Sequence, residues 1–326
     1  MRWSQWLLAC VVTSSASCGV AEVKVDAKLP KYGQAQGVSG TIKSVGSDTM
    51  NNLMARWGEG FKKMYPSVKV EVEGKGSSTA MPALIEGTAD FGPMSRDLKD
   101  KEIGEFEKKF GYKPTQLPTC IDMLAVFVHK DNPLAATGLT LQQVDAIFST
   151  NRKGGGAKDI TKWRDLGVEG EWASKPISLY GRNAASGTYG FFKENVLMNG
   201  DFKSSVKEQP GSSAVIQGVA KDKYAIGYSG IGYATADVRA VPLAKEKGQM
   251  IAAEPKHAFS GDYPLTRLLT VAFNYKPSSK LDPLKREFIK YIYSREGQED
   301  VLKERFLPLG VKKADQALRS VGLGVK

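Results

Sequence analysis

A chain of 326 residues exceeds the roughly 250 to 300 at which a single hydrophobic core stops growing, so two lobes are expected. Its 41% hydrophobic and 25% charged residues exclude a disordered polymer, and its longest apolar run, residues 6–12, falls well short of the roughly 20 residues that a membrane-spanning helix needs. A net charge of +11 favours an anionic partner without choosing among nucleic acid, a membrane surface and a small oxyanion.

Residues 1–21 carry Arg2, a short apolar stretch, then small residues and no acid, the composition of a secretory signal peptide cleaved after Ala21. Cys18 follows Ser15, Ala16 and Ser17, a partial match to the box before a lipid-modified cysteine, which leaves a lipid anchor open. Cys10 and Cys18 both fall in this leader, so Cys120 remains alone and no internal disulfide is expected.

Met50, Leu53, Met54, Trp57, Phe61 and Met64 recur at helical spacing and predict a helix over residues 48–65 that Pro66 ends. Val68, Val70 and Val72 alternate with polar residues as a strand does, and a Gly/Ser loop leads into a short helix over 80–86. Further strands are expected near 116–128, 177–180, 225–228 and 265–275, with helices near 141–148, 189–197, 213–220 and 283–294. This alternation makes an α/β chain. His129, Lys130, Asp131, Asn132 and Pro133 mark an expected crossing between lobes, with the strands around Tyr228 and Leu265 as the return. One lobe would then combine residues 38–126 with 241–326, around a second lobe of 127–240.

Three segments share the order strand, Gly/Ser/Thr loop, helix: Gly46, Ser47, Asp48 and Thr49; Gly74 through Ser77 to Thr79; and Gly181, Arg182, Ser186, Gly187 and Thr188. A helix N-terminus offers unpaired backbone N–H groups, and hydroxyls add neutral donors, so each loop can hold a tetrahedral oxyanion. Each taken singly reads as well as an ordinary helix cap, but three in one chain, one carrying Arg182, point to a shared anion. In a fourth segment, Ser95 and Arg96 follow a short apolar stretch at a strand end, where ligands of open α/β sheets gather. Only His129 and His257 are available as imidazole ligands, and no Cys-x-x-Cys, phosphate-binding P-loop or nucleophile elbow occurs, so neither metal nor cofactor is expected. The lysines are scattered among acids, with no aromatic-rich basic strand, which argues against nucleic acid.

Together, Gly46-Ser47-Asp48-Thr49-Met50, Gly76-Ser77-Ser78-Thr79, Gly87 to Gly92 with Ser95-Arg96, and Gly181-Arg182 with Ser186-Gly187-Thr188 resemble the phosphate-binding proteins that feed bacterial ABC phosphate importers. Val126 to Pro133, Ala225 to Gly230 and Tyr263 to Arg267 extend the resemblance in the same order. It implies a two-lobed periplasmic binding protein fold, type II-like, each lobe a mixed sheet flanked by helices and the lobes joined by crossing strands. It also implies a periplasmic monomer, not an enzyme, that closes on one inorganic phosphate and delivers it to the membrane permease of an ABC importer. Carried over position by position, the ligands would be Ser47, Thr49, Ser77, Ser95, Ser186, Gly187 and Thr188, with Arg182 as the positive anchor. Some members have an aspartate where Ser95 stands, which accepts the proton of hydrogen phosphate. Here Asp48 is the nearest carboxylate, either taking that role or only capping its helix. The rival readings are a binding protein for sulfate or another tetrahedral oxyanion, a secreted phosphatase, and an adhesion protein using the basic surface.

Overall fold

The computed structural model describes residues 23–246 and 248–324; the expected leader over residues 1–21, with Cys18, lies outside them. The first part of the chain supplies β1 (Gly40–Val45), β2 (Val68–Glu73), β3 (Gly92–Met94) and the long β4 (Thr115–His129). Then follow β5 (Leu139–Thr140), β6 (Ser178–Arg182), β7 (Lys207–Gln209), β8 (Ala225–Gly230), β9 (Val238–Ala240) and β10 (Leu243–Ala244), before β11 (Thr266–Phe273) and β12 (Leu307–Pro308).

β4 joins the two lobes. Residues 123–128 are all buried, as a strand covered on both faces requires. As far as Met123 it pairs antiparallel with β11; from Leu124, opposite Gly230, it pairs antiparallel with β8. The main sheet therefore runs β3, β11, β4, β8, β6, β7, antiparallel around β4 and parallel from β8 outward. β1 and β2 pair in parallel beside it, and Ser44 bridges to Phe91 just before β3.

Two large cores lie on either side of this junction. One gathers Trp57, Phe61, Phe91, Phe288, Tyr291 and Val301; the other gathers Val144, Phe148, Trp163, Phe192, Tyr228 and Leu265. The chain has the two-lobed fold, each lobe a mixed sheet flanked by helices. Two of the expected boundaries differ from the packing. β4 changes partner between Met123 and Leu124, close to the expected 126/127 boundary and ahead of residues 129–133, with no breaker at that place. On the return side Val241, Leu243, Ala258 and Tyr263 pack in the second core and β10 pairs with β5, so that core reaches past residue 241 as far as the expected return strand around Leu265.

The helices that aim the loops form where the apolar spacing predicts. A 3-10 turn at Asp48–Met50 runs into the helix Asn51–Met64, which buries Leu53, Met54, Trp57 and Phe61. Ala80–Glu86, Leu141–Phe148, Gly187–Asn195, Ser212–Lys221 and Pro283–Ile292 follow the same rule.

Candidate functional site

The first-lobe loops are tied to one another by backbone bonds before any side chain is considered. Ser47 N donates to Pro93 O at 2.8 Å, and Gly76 N donates to Gly46 O at 2.7 Å, so the segments after β1, β2 and β3 converge. Gly76 has a φ of 107°, which an L side chain rarely adopts, and a Cβ there would run into the Ala185 carbonyl of the other lobe. On this frame three hydroxyls meet: Ser47 Oγ donates to Ser95 Oγ at 3.0 Å, and Ser77 Oγ lies 3.3 Å from Ser95 Oγ. Ser77 Oγ also accepts from Ser95 N at 3.1 Å. All three residues are buried.

The second lobe presents the turn after β6. Ser186 caps the helix Gly187–Asn195, its Oγ accepting from Thr188 N at 3.1 Å and Tyr189 N at 3.4 Å. Gly187 follows because a Cβ there would run into the Ser77 and Ser95 hydroxyls, so only a glycine lets the backbone lie against that cluster. Thr188 Oγ1 meets Thr49 Oγ1 at 2.9 Å across the lobes, and Ser78 N donates to Ala185 O at 3.1 Å. Seven of the nine expected residues thus gather along one interlobe seam, with Ser186 holding the turn that supplies Gly187 and Thr188.

Arg182, at the end of β6, is 1% exposed. Its Nη1 donates to Ser212 Oγ at 2.7 Å and its Nη2 to Pro210 O at 3.0 Å, while Nε has no partner among the described residues. Burial pulls its pKa below the ordinary guanidinium value, and the Asp48 carboxylate opposes that pull. Asp48 Oδ2 lies 3.2 Å from Arg182 Nη2 and accepts from Ser212 N at 2.8 Å. Neither Ser47 nor Asp48 caps the helix through its side chain, so of the two expectations for Asp48 the capping role is overturned. Arg96, beside Ser95, turns away to pair with Glu102 through both terminal nitrogens, at 2.8 and 2.6 Å.

The chemistry follows from counting protons. Ser77, Ser186 and Ser212 each accept from a fixed N–H, and each keeps one O–H to give. Such a set, beside a buried guanidinium, suits an oxyanion, which accepts only.

Residues 33–296 match the PBP superfamily domain. Over 320 residues, 97% of this chain and 98% of the other, the sequence is 50% identical to the phosphate-binding protein PstS of Pseudomonas aeruginosa. The chain belongs to the PstS family of phosphate-binding proteins. Another PstS, from Staphylococcus epidermidis, is 29% identical over 82% of this chain and 78% of its own. A solved structure described as a phosphate ABC transporter substrate-binding protein with bound phosphate, from Clostridium perfringens, is similar with a TM-score of 0.69 and 28% identity, covering 83% of this chain and 100% of that one. An ABC-type phosphate transport receptor from Vibrio cholerae, at 22% identity and a TM-score of 0.62, shares the fold over 82% of this chain and 100% of its own.

Around the PstS-family loops stand residues that sequence reasoning did not single out. Ser212 links Arg182 to Asp48, and Tyr233 Oη donates to Thr49 O at 2.9 Å from the other lobe. Arg267 and Asp122 face each other across β11 and β4 and form a buried ion pair at 2.7 Å. A signal for this pair was present: each is a lone charge inside an otherwise apolar predicted strand, and such charges need partners.

Proposed function

We propose that this chain is an exported, extracytoplasmic receptor that binds one inorganic phosphate between its lobes and hands it to the membrane permease of an ABC importer. One observation carries the reading: hydroxyls from four loops of two lobes line one buried interlobe seam, and Asp48, between Ser47 and Thr49 of that seam, pairs with the buried Arg182. Ser47, Thr49, Ser77, Ser95 and Thr188 supply hydroxyls, Gly187 supplies backbone at a helix N-terminus, Ser186 holds that turn, and Arg182 supplies the charge. Asp48 is the acceptor for the proton of hydrogen phosphate: its Oδ2 is engaged by Ser212 N and Arg182, while Oδ1 accepts no hydrogen bond from the described residues. Sulfate has no proton to offer there, and a carboxylate facing it would repel it.

The bonds from Thr49 to Thr188, Asp48 to Ser212, Ser78 to Ala185 and Tyr233 to Thr49 all join opposite lobes and fit a closed form of a hinge motion. In this reading residues 38–123 and 266–324 form one lobe and 124–265 the other. The chain works as a periplasmic monomer that binds without turnover, after its leader is cleaved or lipidated at Cys18. The test is titration calorimetry on protein freed of phosphate and then resupplied. One equivalent of phosphate bound, with sulfate much weaker and no release of phosphate from a phosphomonoester, is expected. Equal binding of both anions, or turnover of the ester, would overturn the reading.

A further inference from the structure

Arg267 lies at the junction of the lobes, and four groups engage its guanidinium. Nε and Nη2 donate to Asp122 Oδ2 at 3.0 and 2.7 Å, directly across the β4–β11 ladder. Nη1 donates to Ser95 O at 2.9 Å, in the first lobe, and Nη2 to Thr188 Oγ1 at 3.0 Å, in the second. Its guanidinium carbon lies over the Phe191 ring, 5.2 Å from the centroid, on the helix that carries Thr188. Both Asp122 and Arg267 are buried, and Gly230 leaves room for the carboxylate, since a Cβ there would stand 3.2 Å from both of its oxygens.

An arginine only donates. Thr188 Oγ1 must therefore accept from Arg267, which turns the single proton of its hydroxyl away, toward Thr49 Oγ1 and the seam where the other hydroxyls meet. The bond to Ser95 O holds the third loop in place by its backbone, leaving the Ser95 hydroxyl to the cluster. Asp122 holds the guanidinium from the crossing strand, so the same cation registers a loop of one lobe against a helix of the other.

We propose that Arg267, held by Asp122, is a positioning residue for anion binding: it orients the Thr188 hydroxyl as a donor and sets Ser95 against it when the lobes are closed. This rests on the phosphate-site reading above, in which Thr188 is a ligand. Lysine keeps the charge for Asp122 but lacks the planar fork that reaches Ser95 O and Thr188 Oγ1 together.

A double-mutant cycle tests it, with phosphate affinity read by calorimetry on Arg267→Lys, Thr188→Val and the two combined, and melting temperature read without phosphate. Arg267→Lys should weaken phosphate binding about tenfold in the native background and by clearly less in the Thr188→Val background, because the hydroxyl it orients is already gone there and only its hold on Ser95 O remains to be lost. Equal losses in both backgrounds, or no loss in either, would overturn the proposal while leaving the site itself intact. Native affinity in Thr188→Val alone would overturn the site reading and this inference with it. If Arg267→Lys does not fold, the pair Asp122→Asn with Arg267→Gln, which removes both buried charges, enters the same cycle and is judged by the same two outcomes.

Discussion

Replacing Asp48 by asparagine separates a proton acceptor from a structural carboxylate. The substitution conserves shape, and the carboxamide oxygen can keep the 2.8 Å bond from Ser212 N. The amide nitrogen then stands where Oδ1 stood and presents a donor to the phosphate O–H, so an acceptor is exchanged for a clash of two donors. Hydrogen bonds to charged groups contribute about 1.5 to 3 kcal/mol, so phosphate should bind about ten- to a hundredfold more weakly. Sulfate meets the opposite change, since the negative charge 3.2 Å from Arg182 disappears and every remaining group at the seam donates. Its affinity should rise, and the preference for phosphate should collapse by more than the loss of phosphate affinity alone. Paired calorimetric titrations of both anions at neutral pH and fixed ionic strength read this, with melting of the anion-free protein as the control for folding. An unchanged ratio of the two affinities would refute the reasoning and move the discrimination to another acceptor.

Arg182→Ala should abolish measurable phosphate binding at micromolar protein, a loss of about 2 to 5 kcal/mol, with the anion-free fold retained; near-native calorimetric affinity would remove Arg182 from the site. Tyr233→Phe deletes the hydroxyl that joins Thr49 O across the lobes, and a several-fold faster phosphate release in stopped flow is expected, with no change pointing to a latch elsewhere. Burial alone would raise the Glu102 carboxyl, but Arg96 and the Lys99 N–H outweigh it and hold the pKa below its ordinary value. Its contribution is therefore present above the ordinary carboxylate range and lost as pH falls through the depressed value, so the melting-temperature gap between the native protein and Glu102→Gln should close as pH falls below the ordinary carboxylate range; a constant gap would contradict the pairing.

The hydroxyl loops were legible because a strand, a small-residue turn and a helix start leave a local signature, and Gly46, Gly76 and Gly187 stand where close approach demands them. The helices Ala80–Glu86 and Leu141–Phe148 were legible from apolar spacing alone. Asp100–Phe110 was not, because it fully buries only Phe106 and most of its other residues are charged; Arg295–Lys303 and Val311–Ser320 bury similarly thin stripes. The change of partner stayed hidden because β4 runs through it as one unbroken strand, with Asp122, Met123, Leu124 and Ala125 all buried and no glycine or proline to mark the place. Arg267 closed a matched segment but received no role, since its contribution depends on Asp122, Ser95 and Thr188, distant in sequence and brought together only by the fold.

β4 meets β8 at Gly230 and meets β11 only from Thr266 onward, so the chain holds every strand of the second lobe's sheet before it holds the first lobe's last partner. Thr119 bonds to the Leu269 carbonyl 150 residues away, so the first lobe's sheet waits for residues made after the whole second lobe. Both pairings of β4 close long loops, the one to β11 the longer, while β6 and β8 pair across a much shorter span. Until β11 arrives, the front half of β4 is an open edge, the kind of surface on which chains aggregate. Pulse-labelled hydrogen exchange during refolding should find β6 and β8 protected before β11, and simultaneous protection of all three would show that the lobes form as one. A long linking strand that unites the lobes in the finished protein is thus the part of the newborn chain most in need of shelter.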